Sequence, residues 1–276
     1  MRALEHVLSQ DPPDSPSSVE QWWEGYRALP WSDSWELALV GGWSSACMGY
    51  AFASGYQGAA RALFADPTEL WALCATETAG NHPRAIETRL DAGRLYGEKS
   101  FVTLGMAATR LAVVCHEGTV AGRKRIRVAL VEAGAVEMQA IPPLSVIPEI
   151  GHARCVLDGV EAAEVLDGDG YLRVLKPFRT IEDLHVQIAF CGLVLRHLEE
   201  RSDRAEVVAR VTALAALTRE DPLDPSVHIA LGGLLEWDIE RLGTAIPNWE
   251  RDRALLGVAA GAQARRLERA WDQMSL

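Results

Sequence analysis

The hydrophobic pattern of the chain changes its period twice, and this change limits the fold more than any other feature of the sequence. From Trp71 the apolar residues follow strand patterns, and residues 125–131 alternate with a period of two. From Lys176 onward the period is close to 3.6, which is typical of helices packed in a bundle. These patterns predict an α+β fold with N-terminal helices, a central antiparallel β barrel or sandwich, and a C-terminal helical bundle. The predicted segments are residues 1–70, 71–166 and 167–276.

The composition argues against several classes of function. The net charge is -11, whereas binding to nucleic acid or to an anionic membrane surface requires a basic patch, so neither partner is expected. No apolar run approaches the length of a membrane span, and the N-terminus lacks the pattern of a secretory signal. The five cysteines lie in apolar runs without a CxxC pair, which indicates buried free thiols rather than disulfides or a metal site. We therefore expect a cytoplasmic protein.

The predicted N-terminal helices are rich in small residues. Ser18 is a suitable N-cap for the helix that follows it. Residues 35–64 contain many Gly, Ala and Ser residues, which weaken a helix but allow neighbouring helices to approach closely. We expect two helices in this stretch. The candidate positions for the break are Gly41 with Gly42 and Ser54 with Gly55.

Two segments of the predicted β region carry the most specific pattern in the chain. The first is TETAGNH, from Thr76 to His82, directly after a short apolar strand end. The second is GEKSFVTLG, from Gly97 to Gly105, in which a turn leads into a β-branched and aromatic strand. Together they resemble the flavin-facing segments of the acyl-CoA dehydrogenase family, whose patterns are TE-x-x-A-G-S-D and G-x-K-x-W/F-I/V-T-x-G. The second segment matches, whereas the first is one residue shorter and has Asn-His in place of Ser-Asp.

The resemblance implies a flavin site with FAD as the cofactor. It places Thr103 beside flavin N5, Thr76 at the pyrimidine edge, and Phe101 against the ring, where the family usually has Trp. Val102 lies in the same segment and is included among the predicted cofactor-binding residues. A strand-end hydroxyl can orient and polarise a flavin, and an aromatic side chain can cover one of its faces. From the residues alone, a purely structural role fits equally well: the two threonines are β-branched residues that favour strands, and Phe101 could be a core residue.

The resemblance also implies a reaction on an acyl thioester, in which a carboxylate removes the α-proton and the β-hydride passes to flavin N5. Most members of the family carry that carboxylate in a Y-E-G-T-like turn. The matching stretch here, residues 258–262, has Ala260 at that position. A minority carry the base on the first bundle helix, upstream of a glycine of that helix, and the corresponding position counted back from Gly192 is Glu182. Glu182 is therefore the candidate base.

Other interpretations of these polar residues are open. Thr180 is a candidate N-cap of the first bundle helix, which makes Glu182 a solvated first-turn carboxylate whose pKa the helix dipole lowers. His185 could replace or assist Glu182, or it could be a hydrogen-bonded core residue. Asn81 and His82 could contact the thioester or a phosphate of the substrate, and they also suit an ordinary polar turn.

The segments that hold the pyrophosphate of FAD in the family are missing. No R-x-x-F-G follows the first bundle helix, where the chain has residues 198–204 instead. Gly232 and Gly233 lack the preceding Gln of the family's Q-x-x-G-G segment. Since a pyrophosphate needs cationic or backbone N–H partners, we expect weak or lost FAD binding.

The sequence leaves three functions open. The first is an acyl-CoA dehydrogenase-like flavoprotein that oxidises an acyl thioester by α,β-dehydrogenation. The second is a catalytically retired homologue that acts as a structural or regulatory subunit, and the third is a flavin-dependent monooxygenase of the same fold, which needs no α-proton base. Because the family dimerises through its bundle, we expect a homo-oligomer or a hetero-oligomer with an active homologue.

Overall fold

The computed structural model describes residues 2–64, 66, 68–235 and 239–274, and the chain divides into two compact units. The helical unit comprises the described parts of Met1–Ala62, Leu144–Glu149 and Arg179–Leu276. The sheet unit comprises the described parts of Leu63–Pro143 and Ile150–Phe178. The division into three consecutive segments stays a prediction.

Four helices precede the sheet in the described part of the chain. They are α1 (Arg2–Ser9), α2 (Val19–Arg27), α3 (Ser34–Trp43) and α4 (Met48–Phe64). Ser18 caps α2 as predicted, since its side-chain oxygen accepts a hydrogen bond from the Gln21 amide at 3.2 Å. The stretch rich in small residues forms two helices, α3 and α4, and the break between them lies at residues 44–47, just after Gly42.

Six helices follow the sheet among the described residues. They are α5 (Lys176–His197), α6 (Arg201–Leu217), α7 (Pro225–Leu235), α8 (Ile239–Gly243), α9 (Trp249–Asp252) and α10 (Ala254–Met274). The sequence pattern after Lys176 predicts four bundle helices, and the four longer observed helices, α5, α6, α7 and α10, correspond to them. Of these, α7 packs against both α6 and α10. The same pattern predicts a third bundle helix from about Pro225 to Leu242, and residues 236–238 within that range lie outside the described residues.

The first bundle helix begins earlier than predicted. α5 begins at Lys176 and continues directly from a π-helical turn, Tyr171–Leu175. Asp169 caps this turn, because its Oδ1 accepts hydrogen bonds from two backbone amides of the turn at 2.9 and 3.0 Å. The prediction that Thr180 is the N-cap is therefore wrong, since Thr180 is an interior residue with only 1% of its surface exposed. Glu182 consequently lies in the second turn of α5 rather than in the first.

The sheet unit is built around an eight-stranded sheet. Its strands are β1 (Trp71–Cys74), β2 (Arg89–Asp91), β3 (Arg94–Thr103), β4 (Arg110–Val120), β5 (Arg123–Glu132), β6 (Glu137–Ala140), β7 (His152–Glu161) and β8 (Glu164–Val165). Seven strands follow the order β6-β7-β3-β2-β4-β5-β8, and β1 pairs with β4. β1 and β2 run parallel to β4, whereas the other pairs are antiparallel, so the sheet is mixed. The predicted α+β fold, with a sheet between two helical segments, is confirmed.

Glycine permits the close helix packing of the helical unit. A Cβ atom on Gly42 of α3 would lie 2.0 Å from the carbonyl oxygen of Ala189 in α5. A Cβ atom on Gly192 of α5 would lie 2.2 Å from the carbonyl oxygen of Leu39 in α3. These backbones leave no room for a methyl group, so the small residues have the packing role that the sequence indicated.

The described residues contain neither a membrane-spanning helix nor a metal-binding cluster. None of the helices in this part of the chain is both long and apolar enough to cross a membrane. No group of three or more His, Cys, Asp or Glu side chains among the same residues is arranged to hold a metal ion.

Replacing Gly42 with Ala is expected to destabilise the protein by roughly 3 kcal/mol, because the new methyl group must displace the backbone of α5. The matched control is Gly25→Ala in α2, where no atom lies within 4 Å of the new Cβ atom. This control should raise the free energy of unfolding by roughly 0.5–1 kcal/mol, since Ala favours a helix more than Gly does. Equilibrium unfolding in urea measures both variants, and equal midpoints for Gly42→Ala and the wild type would contradict the close packing.

Candidate functional site

The structure brings the two motif segments together at the end of β1 and β3. Thr76, just beyond β1, forms an antiparallel bridge with Phe101 of β3. The Ser100 amide donates a hydrogen bond to the Thr76 carbonyl oxygen at 2.9 Å. The segments of the resemblance, which are separate in sequence, are therefore neighbours in the sheet unit.

An irregularity in β3 decides which side chains face the core. The register between β3 and β7 shifts between Lys99 and Val102, and both of these side chains are fully buried. A bulge of this kind re-aims the side chains that follow it. Phe101 and Thr103 lie on the opposite face from Val102, because successive strand residues alternate. Since the Val102 side chain packs in the hydrophobic core of the sheet, only its backbone is available for the predicted cofactor contact.

His152 is a fourth member of this surface, and sequence reasoning missed it. It lies opposite Thr103 in the pairing of β3 with β7. Its ring stacks on the Phe101 ring with 4.4 Å between centroids and 27° between planes. We refer to the surface formed by Thr76, Phe101, Thr103 and His152 as the threonine face. Its other three members are only partly buried, whereas His152 is 3% exposed.

Most side-chain polar groups of the threonine face have no hydrogen-bond partner among the described residues. Neither ring nitrogen of His152 has a hydrogen-bond partner among the residues that the structure describes. Burial lowers the pKa of His152, which favours the neutral imidazole. The hydroxyl groups of Thr76 and Thr103 make no hydrogen bond to another described residue. The face therefore combines a partly open aromatic ring with two threonine hydroxyl groups that a ligand can use, whereas the ring nitrogens of His152 are buried beneath it.

A buried ion pair joins the two motif segments behind this face. Lys99 Nζ donates to Glu77 Oε1 at 2.6 Å and also to the Val114 carbonyl oxygen. Glu77 further accepts hydrogen bonds from the Thr88 hydroxyl at 2.8 Å and from the Glu87 amide at 2.7 Å. Burial alone raises the pKa of Glu77, but the Lys99 charge and the hydrogen bonds outweigh it and hold that pKa below its ordinary value. Burial lowers the pKa of Lys99, opposed by the Glu77 charge. Sequence reasoning assigned no role to either residue.

Asn81 and His82 lie on an exposed turn. His82 caps the short 3-10 turn Pro83–Ala85, since its Nδ1 accepts a hydrogen bond from the Arg84 amide at 3.3 Å. This contact accounts for His82 as a turn residue. Their role in binding substrate stays a prediction.

Glu182 lies on α5 in the helical unit, in a setting that differs from the expected first turn. Burial raises its pKa to about 8, and the neighbouring Asp183 adds to this shift, while Arg266 and Arg179 oppose it. The expectation that the helix dipole lowers this pKa is therefore wrong. Asp183 itself forms a largely buried ion pair with Arg266 of α10. A carboxyl with a raised pKa is a stronger base than an ordinary surface carboxylate once it is ionised.

His185 is a hydrogen-bonded core residue. Its Nδ1 donates to the Ile181 carbonyl oxygen at 2.7 Å, and the Ser34 hydroxyl donates to its Nε2 at 2.8 Å. Burial lowers its pKa to about 4. Since both ring nitrogens are occupied, His185 is not free to assist Glu182. The predicted counterpart of the Y-E-G-T turn, residues 258–262, falls within α10, and the side chains of 258–260 and 262, Ala260 included, lie outside the described residues.

Comparisons with solved structures define the fold. The FAD complex of PigA matches with a TM-score of 0.57 and 12% identity, over 98% of this chain and 87% of that chain. The crystal structure of the prolyl acyl carrier protein oxidase AnaB matches with a TM-score of 0.58 and 12% identity, over 98% of this chain and 91% of that chain. A protein described as an acyl-CoA dehydrogenase from Mycobacterium smegmatis matches with a TM-score of 0.58 and 14% identity, over 99% and 96% of the two chains.

The chain therefore has the acyl-CoA dehydrogenase fold, as the two motif segments predicted. No protein-family model and no curated protein matches the chain. At these identities the structural likeness shows the fold alone.

Replacing Lys99 with Met should destabilise the protein by roughly 3–5 kcal/mol, because it leaves the Glu77 carboxylate buried without its counter-charge. The matched control is Arg154→Met in β7, which removes the exposed ion pair with Glu98. That control should cost less than about 1 kcal/mol, since exposed ion pairs contribute little. Unfolding in urea measures both free energies, and similar values for the two variants would show that the buried pair does not hold the motif segments together.

Glu182→Gln should stabilise the protein relative to the wild type progressively as pH rises from 4.5 to about 8. The reason is that the unfolded chain ionises near 4.5, whereas folded Glu182 stays protonated up to about 8. The wild type therefore loses stability across this window, and the variant with a permanently neutral amide does not. Thermal unfolding at several pH values measures the difference, with the exposed Glu220→Gln as the control. A difference in melting temperature that stays constant with pH would contradict the raised pKa.

Proposed function

We propose that the chain is an acyl-CoA dehydrogenase-like flavoprotein, an oxidoreductase that removes hydrogens from the α and β carbons of an acyl thioester. The observation that carries this proposal is the threonine face, which joins the two motif segments of the resemblance on one surface of the sheet. The fold is shared with proteins whose descriptions name FAD and oxidation, and this likeness supports the proposal.

The residues of the threonine face fit a flavin ring. Phe101 offers part of a flat aromatic surface, against which a tricyclic ring can stack. The hydroxyl groups of Thr103 and Thr76 can hydrogen-bond to the N5 position and the pyrimidine edge, respectively. A bound flavin supplies a hydride acceptor, and the protein's contribution is to bind it, orient it and exclude water.

The proposed base is Glu182. Its pKa near 8 means that a fraction of the groups is ionised at neutral pH and that this fraction rises with pH. Removing an α-proton from a thioester needs a base stronger than an ordinary carboxylate, and burial supplies that increase in basicity. Asn81 and His82 are the proposed substrate contacts. AnaB is described as acting on a prolyl group on an acyl carrier protein, which makes a carrier-bound acyl thioester a candidate substrate.

We propose that FAD binds weakly and mainly through its ring. The candidate cation near the position of the missing R-x-x-F-G segment is Arg204, which donates hydrogen bonds to the carbonyl oxygens of Leu195 and Leu198 at 3.1 and 3.0 Å. These contacts cap the C-terminal end of α5. These contacts hold one guanidinium nitrogen of Arg204 at the helix end, which restricts how the side chain could approach a pyrophosphate.

A catalytically retired homologue, acting as a structural or regulatory subunit, is the second candidate function. The observation that favours it is the combination of Ala260 at the family's usual base position with the missing pyrophosphate segments. Trp271 and Met274, near the end of α10, are 54% and 59% exposed, which supports a homo-oligomer or a hetero-oligomer with an active homologue. The assembly and the cytoplasmic location stay predictions.

Exchange of the substrate α-proton, measured in the wild type and in Glu182→Gln, distinguishes the two candidate functions. In the active protein supplied with flavin, this variant should lose exchange of the α-proton of an acyl thioester with D₂O, while its flavin affinity stays unchanged, because the amide keeps the size of the side chain and removes the base. Proton NMR of the thioester measures the exchange, and Glu199→Gln is the control for loss of a carboxylate. Undiminished exchange in Glu182→Gln would remove Glu182 from the mechanism, and absence of exchange in the wild type would favour the retired homologue.

A further inference from the structure

The hairpin formed by β4 and β5 carries an excess of positive charge in an acidic chain. Residues 116–127 contain one acid, Glu117, and four cations, which are Arg123, Lys124, Arg125 and Arg127. With histidine counted as neutral, their net charge is +3, so the remaining residues sum to -14 in a chain of net charge -11. A cluster of one sign on a protein surface attracts partners of the opposite sign.

The hairpin is held in a fixed geometry. Its two turn residues, Ala121 and Gly122, have positive φ angles of 48° and 76°, as in a tight type I′ turn. Lys124 anchors the hairpin to the loop before β2, because its Nζ donates hydrogen bonds to the carbonyl oxygens of Arg84 and Ile86 at 3.2 and 2.7 Å. Lys124 is therefore part of the scaffold, and the other cations supply the exposed charge.

An exposed apolar side chain lies among these cations. Arg123 is exposed and has no ion-pair partner among the described residues, whereas Arg125 and Arg127 share the Glu117 carboxylate at 3.4 and 3.6 Å. Val120 lies opposite Arg123 in the strand pairing and is 66% exposed. We refer to Val120, Arg123 and Arg125 as the hairpin face. The positive charge of this face is incompletely neutralised within the chain.

Protection of a sheet edge does not explain the hairpin face. β5 pairs with β8 at Ala129 and Leu130, so this pairing leaves the edge at residues 123–126 uncovered. Charged side chains on such an edge prevent pairing with another chain. Acidic residues would serve that purpose equally well, and an exposed Val120 works against it. Arginines around an apolar side chain are instead typical of a protein–protein interface.

The hairpin is anchored beside the proposed substrate turn. Arg84, which accepts the hydrogen bond from Lys124, follows His82 by two residues, and its amide donates to His82 Nδ1 at 3.3 Å. A protein docked on the hairpin would therefore lie near Asn81 and His82, the proposed substrate contacts. A thioester tethered to a carrier protein benefits from such a surface, because docking raises the effective concentration of the tethered group at the site.

We propose that the hairpin face docks the acidic surface of a carrier protein that presents the acyl thioester. This inference rests on the proposed oxidation of a carrier-bound acyl thioester. Arg123 and Arg125 pair with carboxylates of the carrier, and Val120 contacts an apolar side chain between them. Because both arginines are exposed, salt screens this attraction.

The test is isothermal titration calorimetry of the full-length protein with the holo form of an acidic acyl carrier protein, at about 50 mM and about 500 mM salt. Arg123→Glu combined with Arg125→Glu should lower the affinity roughly tenfold at the lower salt concentration and less at the higher one. The matched control is Arg27→Glu combined with Arg219→Glu, which changes the net charge equally at two exposed arginines of the helical unit. Its affinity should equal that of the wild type.

A third variant tests the apolar part of the hairpin face. Val120→Ser should weaken carrier binding at both salt concentrations, because salt does not screen an apolar contact. All three variants should exchange the α-proton of a free acyl pantetheine thioester as fast as the wild type, since this small substrate has no protein surface to dock.

The outcomes separate this inference from the proposed function. If the wild type exchanges the α-proton of the free thioester but does not bind the carrier, the inference is overturned and the function stands. If the wild type binds the carrier through this face but exchanges no α-proton, the function is overturned and the docking surface stands. Equal affinities in the Arg123/Arg125 variant and the control overturn the inference. Light scattering that shows a homo-oligomer broken by the Arg123/Arg125 variant also overturns it, because the face then contacts a second copy of the chain.

Discussion

The buried ion pair between Lys99 and Glu77 is the interaction on which the candidate site depends. Each partner comes from one of the two motif segments, and each is adjacent or nearly adjacent to a member of the threonine face. Removing two charges from water costs several kcal/mol per ion unless the pair is close and its remaining hydrogen bonds are satisfied. Here the Val114 carbonyl oxygen and the Thr88 hydroxyl satisfy them. The pair thereby fixes Thr76 against Phe101 and gives the strand ends a defined geometry.

The bulge in β3 turns this geometry into a binding surface. Without it, strict alternation would place Lys99 and Phe101 on the same face of the strand. With it, Lys99 and Val102 both enter the core, and Phe101 is directed to the other side with Thr103. In the helical unit, glycines of α3 and α5 allow the backbones of these two helices to come into contact. α5 is the helix that carries Glu182. Burial along that helix is also what raises the pKa of Glu182.

The sequence predicts the fold and part of the site, for reasons that particular residues make clear. The change in hydrophobic period along the sequence predicted a sheet between two helical segments of the chain. The G-x-K-x-F-V-T-x-G match identified the strand that carries Phe101 and Thr103. The start of α5 was missed because Thr180 resembles a cap, whereas the true cap, Asp169, precedes a π-helical turn that leaves no periodic signal. His152 was missed because strand pairing between distant segments decides its neighbours. Its only local signal is a polar residue at the start of an otherwise alternating strand.

We propose that the chain keeps the ring end of a flavin site without the pyrophosphate end. The most direct measurement is the ratio of the dissociation constants of riboflavin and FAD, determined on the same preparation by equilibrium dialysis. If only the ring is held, the two constants should agree within about threefold, because the pyrophosphate and adenine contribute little. A pyrophosphate held by charged hydrogen bonds contributes roughly 1.5–3 kcal/mol for each bond, or more than tenfold in affinity. FAD binding a hundredfold tighter than riboflavin, or binding of neither molecule, would contradict the claim.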